Sequence, residues 1–221
     1  MKKGKKLKFN LDFTETALNF NNKKIQELNF WREIFYTLKL MGKKLDGIGY
    51  GNLSQGVDYL NTKSGKRQFI ITGKDSSALE KLTIKNFTKV LEYDFHKNFV
   101  KAEGLVKPSS ESLTHGAIYD FDNSLKSIIH VHSQHIWKSA KQLNIPITLE
   151  NAKKGTTELA FDIQRVLEYT HASDIGIIVL GGHKEGIISF GKTPKEAGGI
   201  ILKYLVASLE KIYGYNPVSK F

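Results

Sequence analysis

Ser127-Ile-Ile-His-Val-His132 is the stretch that decides the fold. Its alternation predicts a β-strand, because successive side chains on a strand point to opposite faces. Ile129 and Val131 then share one face, while His130 and His132 project together from the other. Two imidazoles about 7 Å apart along a strand can converge on one ion through their rings.

Outward from this strand the pattern alternates between sheet and helix. Ser133 is placed to cap a helix running to Leu143. Upstream, Gln68-Phe-Ile-Ile-Thr72 reads as a short strand ending in a turn at Gly73. Between Leu79 and Val100 the periods are mixed, and neither element is assigned. Downstream, Thr156 or Thr157 opens a helix with Leu159, Ile163, Val166, Leu167 and Thr170 along one side. Ile175 to Leu180 and Gly186 to Phe190 read as strands joined by the turn Gly181-Gly-His-Lys-Glu185. Thr193-Pro-Lys-Glu196 is a capping box with proline at the first helical position, and Gly214 is its stop. Near the start, Leu28, Trp31, Phe35 and Leu38 recur at helical spacing, with Ile34 and Met41 widening the stripe. A glycine-rich stretch, Gly47 to Gly56, follows it.

Strands in mid-chain flanked by helices predict a single mixed α/β domain with a central sheet. We place it over residues 25–215, between a basic lead-in at 1–24 and a short tail at 216–221. No internal repeat or Pro/Gly-rich linker divides it.

Composition narrows the function classes. The formal charge is +11, yet only Arg32, Arg67 and Arg165 are arginines, so the excess is almost all lysine. Base-reading proteins rely on arginine's bidentate fork, which weighs against nucleic acid as the partner. Scattered lysine reads as a solvated surface, and next as attraction for an anionic substrate. The block Lys2, Lys3, Lys5, Lys6 and Lys8 reads as a charged tail. No apolar run is long enough for a bilayer, and no apolar stretch follows the first lysines, so the expected compartment is the cytoplasm. With no cysteine in the chain, histidine and carboxylate are the only strong metal ligands available.

A third histidine, His183, sits in a glycine turn directly after a predicted strand, where active-site loops are found. Three neutral imidazoles leave a divalent ion with an open coordination position, the catalytic arrangement. Against this stands the plain reading of His-x-His as a hydrogen-bonded surface pair. The bland reading fits His96, His135 and His171 better. Lys107-Pro-Ser-Ser-Glu-Ser-Leu-Thr-His115 puts two hydroxyls and a carboxylate at a helix opening, where unpaired N–H groups suit a phosphate. The serines serve equally well as caps. His115, four residues after Glu111, shares its helical face and reads as a supporting partner of the metal site. Gly51-Asn-Leu-Ser54 and Thr72-Gly-Lys74 pair a glycine with a side chain able to hydrogen-bond the same anion.

These segments, in order, resemble the class II aldolase/adducin family: Gly51-Asn-Leu-Ser54, Thr72-Gly73, Pro108-Ser-Ser-Glu111, His115, Tyr119, His130-Val-His132, Gly155-Thr-Thr-Glu-Leu-Ala160 and the turn at His183. The resemblance covers roughly residues 25 to 215. It implies a three-layer α/β/α domain with a largely antiparallel sheet, assembled as a homotetramer. It implies that His130, His132 and His183 bind zinc, or another divalent ion such as manganese, and that Glu111 moves the proton. It implies that Asn52, Thr72, Gly73, Ser109 and Ser110 hold the phosphate of a small sugar substrate. The activity expected is aldol cleavage through a metal-stabilised enediolate. A 4-epimerase or a dehydratase would use the same site, and a non-catalytic adducin-like scaffold is the alternative outside enzymes. The chain departs from the family pattern at Lys184 and Glu185, which lengthen the turn after His183, at Lys74 and at Tyr50.

Overall fold

A computed structural model describes residues 7–20, 22–57 and 62–214. The expected stretch Ser127–His132 is a strand, and the chain around it folds into an eight-stranded sheet. In chain order the elements are β1 (Asn10–Glu15), α1 (Asn22–Thr37), β2 (Gly42–Lys43), β3 (Gly49–Tyr50), β4 (Asn52–Gly56) and β5 (Phe69–Thr72). Then come β6 (Phe87–Asp94), β7 (Phe99–Gly104), α2 (Ser112–Phe121), β8 (Ser127–His132) and α3 (Gln134–Ser139). The chain ends with α4 (Thr157–Tyr169), α5 (Ala172–Ile175), β9 (Ile177–Val179), β10 (Gly186–Gly191) and α6 (Pro194–Tyr213). The sheet order is β1-β7-β6-β5-β4-β8-β10-β9, and β2 pairs with β3 separately. Every pairing in the large sheet is antiparallel except β1 with β7.

Helices cover both faces, which gives the expected three layers in a single domain. One face carries a core of Phe69, Ile71, Val90, Ile128 and Ile188 beneath α2 and α4, from which Leu113, Ala117, Leu159, Ile163 and Val166 descend. The other packs Leu53, Ile70, Ile129, Val131 and Ile187 against α1, α3 and α6 through Leu28, Phe35, Ile136, Ala197 and Ile201. β4, β5, β8 and β10 are buried along their whole length for this reason.

Local chemistry accounts for several boundaries. Thr156 caps α4 by accepting from Leu159 N at 3.4 Å. Thr193 caps α6 by accepting from Glu196 N at 3.1 Å, Pro194 stands at the first position, and Gly214 ends the helix with φ 67°. Ser133 caps α3 as expected, but that helix stops at Ser139 rather than Leu143.

Three expectations need correction or completion. The stripe on α1 ends at Phe35: Leu38 is 44% exposed, because Lys39 takes φ 57° and Leu40 N turns back to the carbonyl of Phe35. The unassigned stretch from Leu79 holds β6 and leads into β7. Within the lead-in, Asn10–Glu15 forms an edge strand, with Leu11 and Phe13 against the core. Lys2, Lys3, Lys5, Lys6 and the tail at 216–221 lie outside the described residues.

Candidate metal centre and anion cavity

β8 places His130 and His132 on one face, and the loop between β9 and β10 brings His183 to them. One ligand nitrogen from each of the three buried histidines lies within 4.8 Å of the others. The ring centroids are 5.2 Å apart for His130 and His132, 5.0 Å for His130 and His183, and 4.6 Å for His132 and His183. The Nδ1 of His130 stands 3.0 Å from the carbonyl oxygen of Ile187. A carbonyl only accepts, so Nδ1 carries the hydrogen and Nε2 presents its lone pair.

The loop carrying His183 is built of two consecutive turns that meet at His183. His183 N donates to Leu180 O at 3.1 Å, and Gly186 N donates to His183 O at 2.8 Å. Lys184 and Glu185 form the tip of the second turn, Glu185 with φ 66°, so the two additional residues extend the loop beyond the imidazole. Gly182 fixes this loop by close approach. A Cβ there would lie 2.0 Å from the carbonyl oxygen of Ala152.

Glu111 stands at the opening of α2, fully buried, with one carboxylate oxygen 3.2 Å from His183 Nδ1 and the other 3.4 Å from His130 Nε2. The Asn52 amide donates to that second oxygen. Burial pushes the His130 and His132 rings down to about 4 and about 2, which holds them neutral as ligands must be. Burial pushes the Glu111 carboxyl upward, but its contacts with His130 and His183 and the charge of Lys154 outweigh it and leave the group well below the usual range.

Five buried atoms of this cluster have no hydrogen-bond partner: Glu111 Oε1, His130 Nε2, both nitrogens of His132, and His183 Nδ1. Each would cost about 1–3 kcal/mol if left unmade. A bound cation removes most of this cost. The residues therefore fit a divalent ion, with an imidazole donor set suited to zinc and to several other transition metals.

Beside the cluster lies a cavity of about 730 Å³ lined by Asn52, Gly73, Lys74, Ser109, Ser110 and Glu111, among others. Four of the five residues expected to hold an anion meet there. Thr72 does not line it: its hydroxyl accepts from Leu53 N at 3.2 Å. Lys74 and Tyr50 both line the wall. The ring of Tyr50 also lies 5.3 Å from that of His132. His115 stays outside the metal cluster, with its Nδ1 2.7 Å from Ser54 Oγ, which in turn lies 2.8 Å from the Tyr119 hydroxyl. Lys8 and Lys154 also line the cavity, and sequence reasoning missed both.

The family described as "Class II Aldolase and Adducin N-terminal domain" matches residues 32–204, and this chain belongs to it. Solved structures that share the fold include sugar-phosphate aldolases. The sugar-phosphate aldolase from Thermotoga maritima superposes with a TM-score of 0.66 at 17% identity, over 90% of this chain and 99% of that one. L-fuculose-1-phosphate aldolase from Thermus thermophilus gives 0.62 at 17% identity, over 90% and 100%. YgbL from Klebsiella pneumoniae, described as a candidate aldolase/epimerase/decarboxylase, gives 0.62 at 14% identity, over 90% and 92%. No curated protein matches the chain. Among the described residues, no helix is long and apolar enough to cross a membrane.

Proposed function

We propose that this protein is a metal-dependent lyase of the aldolase type, acting on a small phosphorylated sugar. The observation that carries the reading is the convergence of three buried histidines, each with a ring nitrogen that lacks a hydrogen-bond partner, with a buried glutamate at the wall of a cavity. His130, His132 and His183 would hold a divalent ion, zinc before manganese. When bound, that ion supplies a Lewis acid for the negative charge that develops as an enediolate forms.

The chain's own groups do the rest. Ser109 and Ser110, with the Asn52 side chain and the Gly73 segment, line the place for the phosphate. Glu111, kept ionised, accepts the proton from the carbon that becomes nucleophilic in synthesis and returns it there in cleavage. Burial of Glu111 and the histidines keeps water from competing for that proton.

A 4-epimerase would break and remake the same bond, and a dehydratase would expel a hydroxyl from the same enolate; YgbL's description keeps the first in view. An adducin-like scaffold would have no use for buried imidazole nitrogens left without partners. Self-association as a homotetramer and a cytoplasmic setting belong to the same proposal. Val206, Ile212 and Tyr213, exposed on α6, support the former.

Elemental analysis of the purified protein, followed by a cleavage screen over short sugar phosphates with and without chelator, tests the reading. One equivalent of metal per chain and chelator-sensitive cleavage are expected. Absence of bound metal after incubation with zinc or manganese would end it.

A further inference from the structure

Two lysines far apart in the sequence, Lys8 and Lys154, meet at the cavity, and the proposed phosphate site does not use them. Lys8, just before β1, donates to the carbonyl oxygen of Lys154 at 2.7 Å. Both residues line the 730 Å³ cavity that Ser109, Ser110 and Glu111 also line. Lys154 is fixed there by its neighbour. Gly155 takes φ 70°, and a Cβ on it would lie 2.9 Å from the carbonyl oxygen of Ser110. The loop that carries Lys154 therefore rests on the serine turn at one end, and at Ala152 on the loop of His183. The charge on Lys154 reaches Glu111, His130 and His132.

Charge balance makes the pair informative. Lys74 already has an ion pair with Asp75 at 3.1 Å. Among the described residues, Lys8 and Lys154 have no carboxylate in ion-pair contact. Two like charges brought to one rim repel each other, and an anion between them turns that repulsion into attraction. The edge strand β1 brings Lys8 here through its parallel pairing with β7.

We propose that Lys8 and Lys154 form a second anion-binding position in the cavity, so that the substrate carries a carboxylate or a second phosphate in addition to the phosphate held at Ser109 and Ser110. This rests on the sugar-phosphate reading above. It narrows the substrate class to compounds acidic at both ends, such as phosphorylated sugar acids.

Two probes of equal length separate the parts: erythritol 4-phosphate, with one anionic group, and erythronate 4-phosphate, with a carboxylate at the far end. Binding to the metal-loaded protein is measured by calorimetry for the wild type, Lys154→Met and Lys8→Met. The expected result is that erythronate 4-phosphate binds the wild type at least about tenfold tighter. Lys154→Met abolishes that preference and Lys8→Met reduces it, while binding of erythritol 4-phosphate stays within about twofold. A wild type without the preference overturns the second site alone, as does a preference that survives in Lys154→Met. An equal loss of both probes in Lys154→Met assigns the lysine to the phosphate and overturns it too. Failure of the wild type to bind either probe removes the sugar-phosphate reading, and this inference with it.

Discussion

Asn52 and His130 face each other directly across β4 and β8, and both side chains turn to the same oxygen of Glu111. Cross-strand partners share a face of the sheet, so the register of two strands aims an amide and an imidazole at one carboxylate. The amide donates to Oε2, which leaves Oε1 toward His183. Asn52→Asp puts a second carboxylate there with almost no change of shape. Like charges disfavour ionisation, so the acid limb of the pH–rate profile is expected to move up by about one unit or more. An unmoved limb would detach Asn52 from the proton-transfer group.

Glu111→Gln keeps the size and hydrogen-bonding reach of the side chain but removes its basicity. Turnover is expected to fall by roughly 10²- to 10⁴-fold, the usual worth of a positioned acid/base. Metal content measured by plasma emission should stay near that of the wild type. Loss of the ion from this variant would make the glutamate a holder of the cluster rather than its base.

His132 has no hydrogen-bond partner on either nitrogen, which leaves one of them free for the proposed metal ion. His132→Ala should weaken metal binding by at least the 10- to 100-fold that losing even an outer partner costs. The metal-free protein should unfold at nearly the same denaturant concentration as before. A variant that purifies with a full equivalent of metal takes His132 out of the ligand set.

Gly182→Ala tests whether the loop of His183 is held by backbone contact. The new methyl would meet the carbonyl oxygen of Ala152 at 2.0 Å, and both segments must shift. The expected cost is about 1–3 kcal/mol of stability, with reduced metal affinity, because His183 is the next residue. Chemical denaturation and zinc titration of the same preparation read both effects.

Acid should destabilise the metal-stripped protein well before carboxylates titrate. Burial lowers His115 to about 3, His130 to about 4 and His132 to about 2, against about 6.5 in an unfolded chain. Between pH 6.5 and about 4 the unfolded state therefore binds more protons. The stability these neutral rings contribute is complete above pH 6.5 and drains away as pH falls, by up to about 1.4 kcal/mol per unit per histidine. Denaturant midpoints measured from pH 7.5 to 4.5 should fall steadily, and a flat profile would mean that the rings are not desolvated.

The sequence made some of this legible and hid the rest. β8, the caps of α4 and α6 and the stop at Gly214 are written locally, in alternation and in hydroxyls followed by backbone donors. β4 was hidden: Asn-Leu-Ser-Gln-Gly has no apolar alternation, since one face holds polar side chains that serve Glu111 and His115. β1 carried a signal in Leu11 and Phe13, overshadowed by the lysines before it.

By itself the chain determined its helix caps, the strand of the histidine pair and which ligand types are available, because dihedral preference, periodicity and capping act over a few residues. Only the tertiary structure decided that His183 reaches His130, that Thr72 gives its hydroxyl to Leu53, and that Lys8 crosses to Lys154. Those contacts join segments far apart in sequence. Strand register and loop packing set them, and neither is encoded in any single stretch.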